Sequence, residues 1–448
     1  MATHGLSQRC SDCGSNRVMK MLTEMLPCEQ RDKWLYCQAA CRDKLIGYGL
    51  LRGKHFPSPR EREKEAKPLY GDKHKGMWVK VQELVQEIVR ASEKAACIAR
   101  ACRAEKELFA LLVEEKKEGE KNPRFVQDFK TLADVLVQET IKHDLGKLFP
   151  CLREHIHGEE SNKFTNANGD SIIVEIQSTS EATAQVLTQV LEGNHRAAQL
   201  LSNTVHFEVQ VSVEVSTEAM TDSSSLGIWI DPIDSTSEYI AGNWEMEDEG
   251  GVAASGLQCV CILIGVYSLA DGVPVMGVIN QPFRYQRGSE KYSGQFYWCF
   301  SGETVLVSHP CDDSGPSRQR PIVLASTSES PLVLDALRSD CVIKFAAGAG
   351  YKLLCVALGL VDAYVLSKAT TFRWDTCAPH AYLRAIGGDI VKLWHAVEMH
   401  KRGTTRDMDI HYHVAEGGGQ WCNSLGLIAY RHLHVLETIV DILSKTST

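Results

Sequence analysis

The chain lacks an excess of positive charge, an apolar run as long as a membrane span, and any internal repeat. Its 448 residues include 48 Lys and Arg against 57 Asp and Glu, which gives a formal net charge of −9 at pH 7. Nucleic-acid-binding surfaces are rich in positive charge, so this balance argues against a nucleic-acid partner. Without an apolar span or a signal-peptide core, we expect no membrane association and a cytoplasmic location.

The remaining composition is that of a globular protein. Hydrophobic residues make up 44% of the chain and charged residues 23%, and the length allows two or three domains. The 16 cysteines are scattered, and several lie inside apolar segments. We therefore expect most of them to be reduced thiols in the core.

Residues 1–76 differ from the rest, because they are rich in cysteine and in charge of both signs. Cys10 and Cys13 have the spacing of one half of a zinc site, but the second Cys-x2-Cys or His pair is missing. We predict a poorly ordered extension here, with a zinc site as the alternative.

The most informative segment is 228–236, where an apolar run breaks into a tight acidic turn. Its branched and aromatic residues predict the end of a buried strand. Asp231 and Asp234 then lie three residues apart, with Pro232 setting the backbone and the Ile233 carbonyl between them. Oxygen ligands of this kind suit a hard divalent cation such as Mg²⁺. A turn in which an Asp caps a helix is the alternative interpretation.

Carboxylates occur at three other marked positions. Asp134 lies in the first turns of a predicted helix, Glu159 and Glu160 follow a glycine, and Asp375 lies at the predicted N-cap of another helix. Each has an ordinary explanation, as a helix-terminal charge, a surface pair or a cap. Gathered in one cleft, however, the six carboxylates would need two or three magnesium ions to balance them. Such a site is typical of a metal-dependent phosphomonoesterase.

Helix and strand patterns continue along the chain. Apolar residues at helical spacing predict a helix from Val81 to Leu112, and a branched segment predicts a strand over Val205–Val215. The second half alternates strands and helices, with Ser328 in a hydroxyl cluster after one strand and Gly348–Lys352 after the next. Gly-x-Gly at a helix start can present backbone N–H groups to an anion.

Two segments, Trp229–Thr236 and Trp374–Ala381, resemble the two signatures of the lithium-sensitive, magnesium-dependent inositol phosphatase superfamily. The resemblance covers about residues 77–440. It implies a layered α/β fold, the α-β-α-β-α sandwich of sugar and inositol phosphatases. Ser235 occupies a position where the monophosphatase and nucleotidase branches usually have Gly, which favours the branch that acts on inositol polyphosphates.

The resemblance also implies an activity and a domain division. The implied reaction is removal of the 1-phosphate from inositol 1,4-bisphosphate and inositol 1,3,4-trisphosphate, with Mg²⁺ as cofactor and lithium as inhibitor, in phosphatidylinositol signalling. The implied partner is this small-molecule substrate, and the protein is expected to be a monomer. The catalytic domain would span 77–448, with a metal-binding part over 77–320 and an α/β part over 321–448.

Site residues are implied position by position. The metal ligands would be Asp134, Glu159, Glu160, Asp231, the Ile233 carbonyl, Asp234 and Asp375. The substrate would contact Asp234, Ser235, Thr236, Ser328, Gly348, Ala349, Lys352 and Thr370. The catalytic residues would be Asp134, Thr236 and Glu159, with Asp134 and Thr236 orienting and deprotonating the attacking water.

The chain departs from the family at Ser330, where a Lys usually follows the Ser-Thr-Ser-Glu segment, and at Pro379, where relatives usually have Ala. If that Lys binds a second phosphate, affinity for polyphosphates is expected to be reduced here. Two alternatives stay open. One is a sibling phosphatase that acts on a nucleotide or sugar bisphosphate with the same metal site, and the other is a catalytically silent inositol phosphate-binding protein.

Overall fold

The computed structural model describes residues 78–105, 109–116, 129–288, 291–302, 304–309, 318–404, 408–413 and 421–445. All of them belong to one unit, Lys75–Thr448. The extension predicted over 1–76 and its zinc alternative lie outside the described residues, so both stay predictions.

The described residues form ten α-helices and seventeen strands. The helices are α1 Val81–Ala104, α2 Leu132–Leu148, α3 Ser180–Thr188, α4 His195–His206, α5 Thr236–Ala241, α6 Pro331–Arg338, α7 Ala349–Ala357, α8 Arg373–Ala385, α9 Leu393–Lys401 and α10 Leu433–Ser444. The strands are β1 Trp78–Lys80, β2 Val113–Glu115, β3 Phe129–Thr131, β4 Ile156–Gly158, β5 Lys163–Thr165, β6 Ser171–Ile173, β7 Met220–Asp222, β8 Leu226–Asp234, β9 Cys261–Ser268, β10 Pro274–Arg287, β11 Lys291–Ser301, β12 Val305–Val307, β13 Ile322–Ala325, β14 Val342–Phe345, β15 Ala363–Leu366, β16 Asp389–Val391 and β17 Leu427–Tyr430.

Two sheets organise these elements. The first has the order β12-β11-β10-β9-β8-β4, and only its β4–β8 pair is parallel. The second has the order β14-β13-β15-β17-β16, with parallel pairs on both sides of β13. Three further two-stranded pairs, β1–β7, β2–β3 and β5–β6, complete the strands.

Successive side chains along the buried strands face different layers of the fold. On β8, Ile228 and Ile230 belong to the core formed with α1, α2 and α4, whereas Trp229 faces the core formed with α7 and α8. The second sheet closes that middle core with Leu324 and packs Val323 against α6, α9 and α10. Successive side chains of a strand point to opposite faces. Helices and sheets therefore stack as α-β-α-β-α, which confirms the predicted fold.

Helix α8 packs unusually closely on the first sheet. A Cβ added to Gly277 on β10 would lie 2.8 Å from the backbone carbonyl carbon of Ala378, so only glycine allows this approach. The next residue, Pro379, lies inside the helix beyond its first turn. It removes the N–H that would bond the Asp375 carbonyl, as expected for a proline past the orphan positions.

Two predicted elements were wrong in extent or type. Helix α1 ends at Ala104 rather than at Leu112, because the chain turns into a short 3₁₀ segment and then β2. The strand predicted over Val205–Val215 is instead the end of α4 followed by irregular backbone.

No helix in the described part of the chain is long and apolar enough to cross a membrane. The described cysteines are free and mostly buried, as expected.

Candidate active site

A cavity of about 290 Å³ opens where β8 ends and where α5, α7 and α8 begin. Its surface combines carboxylates, hydroxyls and small residues, and it brings together most of the predicted site residues. Those that line it are Glu159, Asp231, Ile233, Asp234, Ser235, Thr236, Gly348, Ala349, Thr370 and Asp375. Asp134, Glu160, Ser328 and Lys352 do not line it.

Three aspartates form the centre of the cavity, and we call Asp231, Asp234 and Asp375 the aspartate cluster. One carboxylate oxygen from each lies within 4.8 Å of the others. The pairing of β8 with β9 shifts register between Asp231 and Asp234, around the bend set by Pro232. Asp231 Oδ1 is buried without a hydrogen-bond partner. A buried anionic oxygen with no donor is costly, so the cluster calls for a cation.

The start of α7 holds Asp234. Its carboxylate accepts hydrogen bonds from the backbone N–H of Ala349 at 3.3 Å and of Gly350 at 3.0 Å. Gly348 has φ +74°, and a Cβ there would lie 2.8 Å from Asp234 Oδ2. The start of α7 therefore faces a protein carboxylate, while Gly348 and Ala349 also line the cavity. The expected contact of this helix start with a phosphate stays a prediction.

The buried carboxylates have strongly perturbed acidity. Burial, with the charge of Glu159 and of its partner aspartates, raises the pKa of Asp231 well above its usual value. Burial raises the pKa of Asp375 in the same way, and raises that of Asp234 to about 6 although Lys352 and backbone N–H groups oppose it. Among the described residues, the group that could hold a metal ion consists of three carboxylates, so the donor set fits a hard divalent cation such as Mg²⁺.

Two aspartates occupy the third position of their helices. Asp134 Oδ2 accepts hydrogen bonds from the Thr131 backbone N–H at 2.8 Å and from its hydroxyl at 2.6 Å, which forms a capping box at α2. Asp375 accepts a hydrogen bond from the Phe372 N–H at 2.6 Å. The prediction that Asp375 is the N-cap was wrong, since Phe372 holds that position. Carboxylates are favoured in the first turn by the helix dipole.

A lysine balances the glutamate pair that follows β4. Lys116 Nζ lies 2.6 Å from an oxygen of Glu159 and 2.6 Å from an oxygen of Glu160, and we call these three residues the lysine-centred cluster. The backbone N–H of Glu159 donates to the Ile230 carbonyl on β8 at 3.2 Å, which fixes the position of Glu159 directly after β4. Burial raises the pKa of Glu160 to about 8, while Lys116 opposes this. Glu160 is thus a buried group and not a surface charge.

The hydroxyl and lysine positions divide into two groups. Thr236 lines the cavity and donates to the Ile233 carbonyl at 3.1 Å. Ser235 lies there in the left-handed region, with φ 71° and a buried hydroxyl that has no partner. Ser328 instead shares a hydrogen bond of 3.1 Å with Ser326, and its neighbour Thr327 lines the cavity. Lys352 is buried and donates to the Gly348 and Ala346 carbonyls.

Sequence reasoning missed Lys116, Thr131 and Thr327. Thr131 precedes Asp134 by three residues, so a capping-box pattern could have found it. Lys116 lies in a run of charged residues that is typical of a solvated loop, and nothing local marks it as buried. Its role depends on partners 43 and 44 residues further along the chain.

Comparison with known proteins gives consistent results. The model of the inositol monophosphatase family matches residues 84–413. An inositol polyphosphate 1-phosphatase from Bos taurus is 46% identical over 387 residues, covering 81% of this chain and 97% of the relative. The corresponding protein of Homo sapiens is 45% identical with the same coverage. A 3'(2'),5'-bisphosphate nucleotidase 1 from Rattus norvegicus is 26% identical over 317 residues, covering 70% of this chain and 84% of the relative.

Proposed function

Because the chain belongs to the inositol monophosphatase family, we propose that it is a magnesium-dependent phosphatase that removes the 1-phosphate from inositol 1,4-bisphosphate and inositol 1,3,4-trisphosphate. The names and high coverage of its relatives support the substrate class. The aspartate cluster, with its unpartnered Asp231 oxygen, carries the proposal of a metal-dependent mechanism. We further propose inhibition by lithium, a monomeric state and a cytoplasmic role in phosphatidylinositol signalling.

Two or three magnesium ions would be held by the cavity residues. Asp231 would contribute to two sites, one shared with Glu159 and the Ile233 carbonyl and the other with the remaining aspartates of the cluster. The backbone N–H of Glu160 donates to the side-chain oxygen of Gln138 at 2.9 Å. Glu160 would affect the cations through its neighbour Glu159. When bound, the cations would polarise the phosphate ester and offset the charge that develops on the leaving oxygen.

Asp134 and Thr236 would orient and deprotonate the attacking water. Thr131 fixes one oxygen of the Asp134 carboxylate, which leaves the other to accept a proton. Burial raises the pKa of Asp134 to about 7, although the hydrogen bonds from Thr131 oppose this. A base with a pKa near the working pH is effective in proton transfer. Thr236, whose hydroxyl donates to the Ile233 carbonyl, would help to orient the water.

The mechanism predicts a specific defect in the variant Asp134→Asn. Turnover should fall by about 10²–10⁴-fold, because the amide cannot accept the proton. Magnesium binding, measured by calorimetry, should be largely retained, since the aspartate cluster is unchanged. Near-normal turnover would contradict the role of Asp134.

The proposed function is tested by phosphate release from inositol 1,4-bisphosphate and from adenosine 3′,5′-bisphosphate, each with Mg²⁺ and with or without millimolar lithium. Lithium-sensitive release from the inositol substrate supports the proposal. Release of phosphate from the nucleotide alone would indicate that the substrate is a nucleotide bisphosphate and not an inositol phosphate. Binding of inositol 1,4-bisphosphate without release of phosphate from either compound would favour a silent binding protein.

A further inference from the structure

The cavity as described contains no cationic side chain for a second phosphate. None of its lining residues within the described ranges is Lys or Arg, whereas five are carboxylates. Metal ions at the aspartate cluster would offset charge around the phosphate that reacts. A phosphate on another ring carbon brings about two further negative charges, which need a cation of their own.

Two loops border the cavity side by side. Residues 326–330 follow β13, and residues 367–372 follow the adjacent parallel strand β15. Buried Glu329 joins them, because its carboxylate accepts hydrogen bonds from the Ser367 backbone N–H at 2.9 Å and from the Ser367 hydroxyl. The first loop contributes Thr327 to the cavity lining and the second contributes Thr370 and Thr371, so a side chain that joins the two loops lies next to this part of the lining.

Lys368 occupies that position. Its side chain is exposed, and its ammonium donates to the Ser328 carbonyl, next to the lining residue Thr327. Thr370, which also lines the cavity, is two residues away, at most roughly 7 Å along the backbone. An ammonium has three donors, so it can hold Ser328 and still bind an anion. Ser330, by contrast, is the N-cap residue that precedes α6 and is not among the lining residues.

We propose that Lys368 binds the second phosphate of the inositol substrate and thereby favours bisphosphates over monophosphates. This inference rests on the proposed function and adds a specificity residue to it. Lys368 lies on the loop after β15, outside the cavity wall, so its contribution is to substrate affinity and not to the chemical step.

The test compares the full-length variants Lys368→Gln and Lys368→Arg with the matched control Lys401→Gln, which removes an exposed charge at the end of α9. We expect Lys368→Gln to raise KM for inositol 1,4-bisphosphate and the inhibition constant of inositol 4-phosphate about fivefold each, the effect of one exposed ion pair. Inhibition by inorganic phosphate should not change. Lys368→Arg should stay within about twofold of wild type, as should Lys401→Gln.

Two outcomes would overturn the proposal. Equal inhibition of wild type and Lys368→Gln by inositol 4-phosphate would show that the lysine does not contact the second phosphate. A matching loss of inhibition by inorganic phosphate would show that the substitution disturbs the Ser328 loop instead. If the wild type releases no phosphate, the proposed function fails separately, and calorimetric binding of inositol 4-phosphate to the same variants still decides the role of Lys368.

Discussion

The aspartate cluster and the lysine-centred cluster both bury carboxylates, but they differ in what balances the charge. In the lysine-centred cluster, the ammonium of Lys116 lies 2.6 Å from both glutamates. In the aspartate cluster, the hydrogen bonds to Asp234 and Asp375 come from backbone N–H groups. Asp231 Oδ1 has no hydrogen-bond donor at all.

This difference separates carboxylates that a protein cation already balances from carboxylates that need an added cation. Glu159 belongs to the first group and also lines the cavity, so it connects the two clusters. A lysine offsets a full charge, whereas backbone N–H groups supply only partial charges. Even with the charge of Lys352 acting on Asp234, the three aspartates stay net negative. Buried carboxylates alone would not have distinguished the two clusters. The unpartnered oxygen of Asp231 does so, and the following predictions test that distinction.

The largest effect is expected from Asp231→Asn. Activity should fall about 10³-fold or more, because the cation loses a shared ligand. The metal-free protein should be more stable than wild type, since a repulsive buried charge is gone. Mg²⁺ should no longer raise the melting temperature, measured by calorimetry. Asp335→Asn, an exposed carboxylate on α6, is the control. A wild-type response to Mg²⁺ in Asp231→Asn would contradict the comparison.

Gly348→Ala should disturb the hydrogen bonds that backbone N–H groups at the start of α7 donate to Asp234. The added Cβ would meet the Ser235 hydroxyl and lie 2.8 Å from Asp234 Oδ2. We expect a loss of activity of about 10- to 100-fold and weaker magnesium binding, as for other supports of metal ligands. Gly403→Ala is a matched control, because its φ of +66° is similar but nothing lies within 4 Å. Equal activity losses in both variants would show that backbone strain at positive φ, and not the contact with Asp234, causes the loss.

Lys116→Met should convert the lysine-centred cluster into one that needs an external cation. Buried Glu160 and partly buried Glu159 would lose their partner, at a cost of about 3 kcal/mol in the free energy of unfolding without metal. Mg²⁺ should restore more stability than in wild type, which denaturant titration can measure. Lys94→Met removes a similarly buried lysine that pairs with Asp144 at 2.6 Å. There Mg²⁺ should restore nothing extra, and equal rescue would refute the idea.

The smallest effect concerns a separate pair, buried His380 and partly buried Asp389, whose ring nitrogen and carboxylate oxygen lie 2.6 Å apart. Burial lowers the pKa of His380, so the neutral ring donates to Asp389 and accepts from the Tyr412 hydroxyl at 2.9 Å. The unfolded state takes up this proton first. Stability contributed by the pair is therefore present above about pH 6.5 and falls on acidification, by at most about 1.4 kcal/mol per pH unit.

The variant His380→Gln should flatten the dependence of unfolding free energy on pH between about 6.5 and 5, measured by urea titration. Activity at neutral pH should change little compared with the other variants, because neither partner lines the cavity. An unchanged slope would mean that another group takes up the proton.

Local patterns predicted a large part of the fold because they report burial on one face of one element. Strand β13 ends just before the Ser328 segment, and helix α7 begins within Gly348–Lys352, as their patterns predicted. The predicted strand over 205–215 fails for a reason outside that segment. The Val211 carbonyl and the Val213 N–H bond the side chain of Gln86, at 2.7 and 2.9 Å, and not a neighbouring strand. Alternation indicates a strand only where a partner strand is available.

The sequence by itself determined the chemistry of the site, because the acidic turn on β8 and the early helix position of Asp134 are local features. Only the tertiary structure decided which charge balances which. It set Lys116 between two glutamates, directed Asp234 to the start of α7 and left Asp231 Oδ1 unpartnered. These contacts join positions that are distant along the chain, and their strength comes from exclusion of water, which local sequence does not encode.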